Sequence, residues 1–304
     1  EGHGDGVGGV VGLGQGIQVQ EPAGHVLDLV LGGVAVAHHR LLDLHGLVFK
    51  NRQPRLMDGQ QNDPPALGDI DTRGDVLAEE QLLDGHRLRL RRLQQLHESR
   101  ARRIIAFIAA PPATGKSTLV DFLSHLAAQL PGMPAVQALG MDGFHYHQDY
   151  ILSHTVVRNG KELEMRRVKG APDTFDVQRL RDTLLALRAG NLRWPAYDRM
   201  LHDVVEAAIP VTAPIVLVEG NYLLLDQPIW RDLPRDYAVF ITADEILLRQ
   251  RLIERKMRGD KTHEQAALFY QESDGPNVRL CLSSHLPCDL ELQLLPNGTF
   301  MQRS

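Results

Sequence analysis

The chain has 304 residues, of which 43% are hydrophobic and 23% are charged, and its formal net charge at pH 7 is -5. This balance lacks the basic excess of a general nucleic-acid or anionic-membrane binder, and no apolar run is long enough for a transmembrane helix. The two cysteines, Cys281 and Cys288, match neither a disulfide framework nor a zinc site. The sequence therefore predicts a cytoplasmic protein with reduced thiols that binds neither nucleic acid nor membrane.

Residues 1–84 form a glycine-rich segment. Residues 1–100 hold 16 of the 27 glycines but only one aromatic residue, Phe49, of the chain's 2 Trp, 6 Tyr and 8 Phe. Glycine weakens the interior of helices and strands alike, so we expect a disordered or non-native extension. Its first residue, Glu1, fits a fragment, a processed product or a reading frame extended upstream of the natural start, and we favour the last.

A helix is expected after this extension, because Leu90, Leu93 and Leu96 recur at helical spacing. Arginines surround these leucines, and we interpret them as a solvent-exposed basic face rather than a ligand site. From this helix onward the composition is that of an ordinary folded protein. We therefore assign residues 85–296 to one domain and residues 297–304 to a tail.

A phosphate-binding loop is predicted near residue 110. The apolar run Ile104 to Ala109 indicates a β-strand, and apolar residues from Leu119 to Leu130 recur at helical spacing. Between them, residues 110–117 follow the pattern G-x-x-x-x-G-K-[ST] except at its first position, where Ala110 replaces glycine. Alanine is tolerable there if its φ is negative. The residues expected to contact a nucleotide are Ala110, Pro111, Pro112, Ala113, Thr114, Gly115, Lys116, Ser117 and Thr118.

Three members of this loop have distinct expected roles. Gly115 allows the backbone to approach phosphate oxygens, and Lys116 reaches the β- and γ-phosphates of ATP. The hydroxyl of Ser117 is expected to bind Mg²⁺. The loop therefore predicts ATP and Mg²⁺ as cofactors.

Two acidic residues follow predicted strands. Asp142 comes after the strand Ala135 to Leu139, and Glu219 comes after the strand Ile215 to Val218. Carboxyl ends of parallel strands share one edge of a sheet, where ligands bind. Asp142 is then expected to accept the proton of a hydroxyl group, and Glu219 to hold Mg²⁺ directly or through water. The alternatives are an Asp-Gly turn without a chemical role and an ordinary strand-end carboxylate.

A further strand, Asp236 to Thr242, precedes a helix that begins at Asp244. Arg251, Arg255 and Arg258 lie at i, i+4 and i+7 and share one face of that helix. Such a face suits a lid that closes on the phosphates, in which Arg251 and Arg255 act in catalysis with Lys116 while Arg258 binds the nucleotide. The competing interpretation is a solvent-exposed face paired with nearby acids.

Several segments together resemble the phosphoribulokinase and uridine kinase family, which also includes the bacterial pantothenate kinases. They are MDGFHY at 141–146, VKGAPDTFDVQRL at 168–180, PAYDR at 195–199, VEGNYLLL at 218–225 and SDGPN at 273–277. The similarity is greatest to bacterial members described as nucleoside or fructose-transport kinases, and to the pantothenate kinase branch. It covers roughly residues 85–295.

This resemblance implies a kinase that moves the γ-phosphate of ATP to a hydroxyl of a small molecule, with Asp142 as the base. Lys169, Tyr197 and Arg199 would contact the acceptor, with His145 as a further contact. Pantothenate kinases usually carry histidine where this chain has Arg199, which weakens a pantothenate assignment. The basic residues between 144 and 194 hint at an anionic acceptor, although they are equally compatible with a solvated surface.

We therefore expect an α/β P-loop NTPase fold with a mostly parallel sheet, helices on both faces and an arginine-bearing lid. The expected function is an ATP-dependent small-molecule kinase whose acceptor is a nucleoside, a sugar or a vitamin-like molecule. The alternative is a P-loop regulatory ATPase or switch that acts on a protein partner. The oligomeric state is left open, with a homodimer as one option.

Overall fold

A computed structural model of the protein describes residues 72–158 and 160–303. Its central strand, β1 (Ile104–Ala109), is buried along its whole length. Ile104, Ala106 and Ile108 pack into one hydrophobic core, and Ile105, Phe107 and Ala109 pack into a second. Because successive side chains of a strand point to opposite faces, both faces of the sheet around β1 are covered.

The described residues contain nine further strands, and five of them form one sheet with β1. In chain order the nine strands are β2 (Val136–Gly140), β3 (Thr155–Arg158), β4 (Lys161–Glu164), β5 (Leu192–Asp198), β6 (Asp203–Val211), β7 (Ile215–Gly220), β8 (Tyr237–Ala243), β9 (Leu290–Leu294) and β10 (Phe300–Gln302). The main sheet has the order β10-β9-β8-β1-β7-β2, and only β10 runs antiparallel to its neighbour. The predicted mostly parallel sheet is confirmed.

Helices cover both faces of this sheet, as predicted. They are α1 (Thr72–Arg100), α2 (Lys116–Gln129), α3 (Gln148–Ser153), α4 (Val177–Ala189), α5 (Glu245–Met257), α6 (His263–Phe269) and α7 (Gly275–Ser283). Leu119 of α2 and Leu252 of α5 pack into one core, whereas Leu180 and Leu184 of α4 pack into the other. Over the described residues, none of these helices has the length and apolar content needed to cross a bilayer.

Two hairpins lie outside the main sheet, and the sequence did not predict them. β3 pairs with β4, and β5 pairs with β6 across an irregularity between Trp194 and Ala196. The side chains of β3 and β4 are exposed or at most half-buried, so they lack the apolar alternation by which strands are recognised. Both hairpins lie in the part of the chain between β2 and β7.

Regular elements extend to both ends of the described chain. Helix α1 begins at Thr72, before the predicted boundary at residue 84, and it buries Leu90 and Leu93 in the core shared with α2. In place of a tail, residues 300–302 form β10, which a turn at Gly298 folds back onto β9. Three residues with no apolar pattern give no strand signal, so only the structure reveals β10. The prediction for residues 1–71 lies outside the described residues, and the domain boundaries stay predictions.

One carboxylate ties several elements together at the amino end of the sheet. Asp236, immediately before β8, has a side chain only 1% exposed and accepts hydrogen bonds from Arg100, Arg102 and Arg188. Its Oδ2 also accepts the backbone N–H of Ile105 at 2.9 Å. These partners lower the pKa of Asp236, against the opposing effect of its burial. The cluster therefore holds α1, α4 and β1 against β8.

We expect Asp236→Asn to lower the free energy of unfolding by about 2–4 kcal/mol, because three arginines lose their buried anionic partner. Urea denaturation at pH 7 measures this loss. A lowered pKa stabilises the fold above the unfolded carboxyl's pKa, so the difference from wild type should shrink only as the pH falls below about 4. Asp232→Asn, at an exposed position, is the control, and equal stability of both variants would contradict the assigned role.

Candidate functional site

The loop between β1 and α2 has the backbone of an anion-binding turn. Gly115 has a φ of +88° and Ala113 a φ of +67°, both in the left-handed region. Gly115 also precedes α2 as its N-cap residue and makes no side-chain cap, so the first N–H groups of α2 are left for a ligand. Ala110 is absent from the described residues with positive φ, which satisfies the condition under which alanine replaces the first glycine.

This loop is fixed by internal contacts. The hydroxyl of Thr114 donates to the carbonyl of Pro111 at 3.0 Å, and both residues are buried. The N–H of Ala110 donates to the carbonyl of Gly220 at 3.3 Å, which ties the start of the loop to the end of β7. In contrast, Ser117 and Thr118 at the start of α2 are exposed. The loop is therefore packed against the protein at Pro111 and Thr114 and exposed to solvent at Ser117 and Thr118.

Glu219 meets the loop directly. In the parallel sheet it lies in register with Ile108 of β1 and Gly140 of β2. The hydroxyl of Ser117 donates to Glu219 Oε1 at 2.7 Å, and Lys116 Nζ lies 3.8 Å from Glu219 Oε2. Burial raises the pKa of Glu219, while Lys116 and the Ser117 hydrogen bond oppose this rise. The structure thus brings together three residues that the sequence assigned to one phosphate and metal site.

These residues fit Mg²⁺ and a nucleotide phosphate. Mg²⁺ prefers hard oxygen ligands, which Ser117 and Glu219 supply, and a phosphate prefers uncapped N–H groups beside a lysine. Asp121, one turn after Ser117 on α2, contributes to the negative potential at Glu219. Sequence reasoning did not select Asp121, although its i+4 spacing from Ser117 places both on one helix face.

Asp142 lies beyond the end of β2, as expected. It occupies a short 3₁₀ turn, Met141–Phe144, and its side chain is exposed. It follows Gly140, the residue of β2 in register with Glu219, so both acids lie at the carboxyl edge of the sheet. The turn is held against β5 at Gly143, where an added Cβ would lie 2.2 Å from the carbonyl oxygen of Pro195.

Three of the four residues predicted to contact the acceptor lie together. His145 is buried, 7% exposed, and its ring stacks on Phe175 at 3.8 Å and meets the Tyr197 ring edge-on at 5.5 Å. Lys169 Nζ lies 5.1 Å from the centroid of the Tyr197 ring, and it donates to Gln148 at 2.5 Å and to the carbonyl of His202 at 3.0 Å. His145, Lys169 and Tyr197 therefore form one wall.

Arg199 lies apart from this wall. It follows β5 at the tip of the β5–β6 hairpin, where its side chain is exposed and makes no hydrogen bond or ion pair with the described residues. Its neighbours Met200 and Leu201 are 90% and 66% exposed. The acceptor role predicted for Arg199 stays a prediction, without support from the geometry.

Two hydrogen bonds join the acceptor wall to the sheet edge. The indole N–H of Trp194 on β5 donates to the carbonyl of Gly140 at 2.9 Å, at the end of β2. The hydroxyl of Tyr222, just after β7, donates to the carbonyl of Gly170 at 2.8 Å. The wall and the phosphate loop are therefore parts of one site.

The three predicted lid arginines divide into two groups. Arg251 is partly buried, and its Nη1 lies 3.4 Å from the carbonyl of Ala113 in the phosphate loop. Arg255 is exposed, and Arg258 caps the end of α5 and is exposed as well. Only Arg251 thus reaches the phosphate loop, and the lid itself stays a prediction. Helix α5 is capped at its start by Asp244, whose side chain accepts the N–H of Ile246, and α6 begins with a capping box formed by Thr262 and Gln265.

We expect Gly143→Ala to lower the free energy of unfolding by about 1–3 kcal/mol, because the methyl group of the alanine would clash with the carbonyl oxygen of Pro195. Chemical denaturation checks this value. Gly190→Ala is the matched control, since its backbone is extended and an added Cβ would meet no atom within 4 Å. If both variants were as stable as the wild type, the close contact between Gly143 and the backbone of Pro195 would be disproved.

Comparisons with known proteins agree with this geometry, although no family model matches the chain. The uncharacterized protein YggC of Escherichia coli (strain K12) is 44% identical over 201 residues, which cover 66% of this chain and 81% of YggC. The pantothenate kinase of Parvibaculum lavamentivorans is 31% identical over 180 residues. The match covers 52% of that relative, so the chain spans about half of the relative's length.

Among solved structures, a candidate fructose transport system kinase from Silicibacter sp. TM1040 is similar at a TM-score of 0.55 and 30% identity. The match covers 62% of this chain and 89% of that protein. The chain belongs to the phosphoribulokinase and uridine kinase family of P-loop kinases.

Proposed function

We propose that this protein transfers the γ-phosphate of ATP to a hydroxyl group of a small molecule. The observation that carries the proposal is the convergence of Lys116, Ser117 and Glu219 at the phosphate loop, with Asp142 at the end of the next strand but one from β1. Such an arrangement positions a phosphate and a proton acceptor at one sheet edge, which is the main requirement of phosphoryl transfer.

The nucleotide half of the site works through charge and backbone donors. The N–H groups at the start of α2 bind the phosphate oxygens, and Lys116 moves from Glu219 to the β- and γ-phosphates when nucleotide binds. Arg251, held at the carbonyl of Ala113, adds positive charge beside the transferring group. Arg255 and Arg258 are expected to join only if α5 or the segment after it moves.

Ser117 and Glu219 would hold Mg²⁺, directly or through water. When bound, this ion neutralises charge on the phosphate oxygens. The 2.7 Å hydrogen bond between the two side chains already holds both oxygens side by side. Asp121 adds negative potential that favours a cation there.

The acceptor half supplies the base and the binding wall. Asp142 is exposed at the sheet edge and accepts the proton of the attacking hydroxyl. Lys169 and Tyr197 line the wall beside it, and the buried ring of His145 supports Tyr197 from behind. The rigid attachment of this wall through Trp194 and Tyr222 favours a small acceptor held in one orientation.

The relatives include a pantothenate kinase and a candidate fructose transport system kinase, and these names support a small-molecule acceptor without fixing which one. Because the chain spans only about half of the pantothenate kinase, that substrate is a weaker guide than the site itself. A regulatory ATPase has no observation in its favour here. The cytoplasmic location and the homodimer stay predictions.

The proposal is tested by incubating the purified protein with Mg²⁺ and ATP and a panel of nucleosides, sugars, sugar phosphates and pantothenate. ADP release that depends on one acceptor, with a phosphorylated product detected by mass spectrometry, is the expected result. Lys116→Ala, which removes the loop's cation, controls for a contaminating kinase. If no acceptor stimulated ADP release but a protein partner did, the result would favour the regulatory switch and refute the kinase.

We expect Asp142→Asn to lower kcat at least a hundredfold while the Kd for ATP changes less than threefold, because the amide cannot take the hydroxyl proton. Steady-state kinetics and calorimetry give the two values. Asp149→Asn is the control, since Asp149 is exposed on α3 and its side chain accepts, among the described residues, only the neighbouring N–H of Tyr150. Loss of ATP binding in Asp142→Asn would instead make Asp142 a structural or metal-binding residue.

A further inference from the structure

His145 has a ring nitrogen that the proposed mechanism does not use. The ring itself has a fixed place, because it stacks on Phe175 at 3.8 Å between centroids and meets the ring of Tyr197 edge-on. The backbone is held as well, since His145 pairs with Phe175 in an isolated β-bridge and its N–H donates to the carbonyl of Asp142 at 3.2 Å. His145 therefore stands directly behind the turn that carries the proposed base.

The neighbours of His145 Nδ1 determine where the ring hydrogen lies. The carbonyl oxygen of Thr174 is 3.1 Å from Nδ1, and a carbonyl only accepts hydrogen bonds. The hydroxyl oxygen of Thr174 is 3.3 Å from Nδ1, but its own hydrogen is donated to the carbonyl of Ala171 at 2.7 Å. Because both neighbours of Nδ1 act as acceptors, the hydrogen of the neutral ring lies on Nδ1.

The KGAPDTFD segment holds this arrangement in place. The N–H of Gly170 donates to the hydroxyl oxygen of Thr174 at 3.1 Å, and Thr174 is fully buried. The N–H of Thr174 donates to the carbonyl of Ala171 at 2.9 Å, which fixes the backbone as well as the side chain. A segment that the sequence linked to function only by resemblance therefore sets the tautomer of a buried histidine.

The second ring nitrogen, Nε2, is left as a hydrogen-bond acceptor. Burial lowers the pKa of His145, although the charge of Asp142 opposes this effect, so the ring is neutral at pH 7. Nε2 makes no hydrogen bond with the described residues. Among these residues, the side-chain atoms that are both unpaired and cut off from the surface are Arg188 Nε, Asn221 Oδ1 and Asp274 Oδ2, so Nε2 is accessible.

The ring adjoins both parts of the acceptor half of the site. His145 follows the turn of Asp142, and its ring contacts Tyr197, whose ring centroid lies 5.1 Å from Lys169 Nζ. The ammonium group of Lys169 only donates hydrogen bonds, whereas Nε2 only accepts them. The wall therefore offers a cation and a neutral acceptor to the same small molecule.

We propose that His145 is a specificity-determining residue whose Nε2 accepts a hydrogen bond from a hydroxyl or amide N–H group of the small-molecule acceptor. This inference rests on the proposed function, because it concerns the acceptor of that same site. Asp142 takes the proton of the reacting hydroxyl, so Nε2 binds a second donor on the same molecule. Carbonyl and carboxylate oxygens are disfavoured at this position, because they would leave Nε2 without a hydrogen.

The first measurement determines the tautomer of His145 without any acceptor. Protein that contains isotope-labelled histidine is studied by long-range proton–nitrogen correlation NMR at pH 7. The signals of His145 are identified by their loss in His145→Phe, which keeps a planar ring beside Phe175. We expect a hydrogen on Nδ1 and none on Nε2. A hydrogen on Nε2, alone or together with one on Nδ1, would overturn the inference.

The second measurement adds Mg²⁺, a non-hydrolysable ATP analogue and, one at a time, the nucleosides, sugars, sugar phosphates and pantothenate of the activity panel. At least one compound should move the Nε2 resonance toward that of a hydrogen-bonded nitrogen while Nδ1 keeps its hydrogen. If no compound moved this resonance, or if the ATP analogue alone produced the whole change, His145 would not be an acceptor contact.

Two variants separate the hydrogen bond from the packing of the ring. His145→Asn keeps a donor at the place of Nδ1 but has no acceptor at the place of Nε2, whereas the longer side chain of His145→Gln brings an amide oxygen there. Both variants lose the stacking on Phe175, so both should melt at similarly lowered temperatures.

The Kd of the compound that moves Nε2 should rise at least tenfold in His145→Asn and less than threefold in His145→Gln. The Kd of the ATP analogue should stay within twofold of the wild-type value in both. Calorimetry gives these constants, and equal losses of acceptor binding in the two variants would reduce His145 to a packing residue.

The NMR readout keeps this inference separate from the proposed function. A compound that moves Nε2 but is never phosphorylated would refute the kinase and leave the contact with His145 standing. ADP formation with an acceptor that leaves Nε2 unmoved would leave the kinase standing and refute the contact.

Discussion

The parallel pairing of β1, β7 and β2 is the constraint on which the site depends. With Ile108, Glu219 and Gly140 in one register, the chain segments that leave the three strands emerge at one edge. The phosphate loop, Glu219 and Asp142 then become neighbours although they are far apart in sequence. A slip of one residue in β7 would turn Glu219 from the edge into the core.

Charged groups are fully paired at one end of this sheet and incompletely paired at the other. At the amino end, Asp236 is saturated by three arginines and a backbone N–H, so its charge holds elements together. At the carboxyl end, Lys116 is 3.8 Å from Glu219, and the first N–H groups of α2 have no side-chain cap. Stability is concentrated at one end of the molecule and unsatisfied binding capacity at the other, which separates folding from ligand recognition.

Much of this organisation could be predicted from the sequence, for identifiable reasons. β1 is a continuous apolar run because both its faces are buried, and the Gly115-Lys116-Ser117 turn has few structural alternatives. Asp236 could be placed at a strand end but not at the centre of its cluster, because its arginines come from separate elements. The π-helical turn Tyr270–Asp274 could not be predicted, because local propensity does not encode it. Arg199 was selected by resemblance, and the hairpin that carries it leaves it in solvent.

The hydrogen bond from Trp194 to Gly140 also places a natural fluorophore next to the site. The chain has two tryptophans, and both are buried in the core on the acceptor side, Trp194 at the end of β2 and Trp230 beside Tyr222. The core shared by α2 and α5 contains no tryptophan among the described residues. Intrinsic fluorescence therefore originates almost entirely beside the acceptor wall, and its intensity and wavelength respond to changes in polarity there.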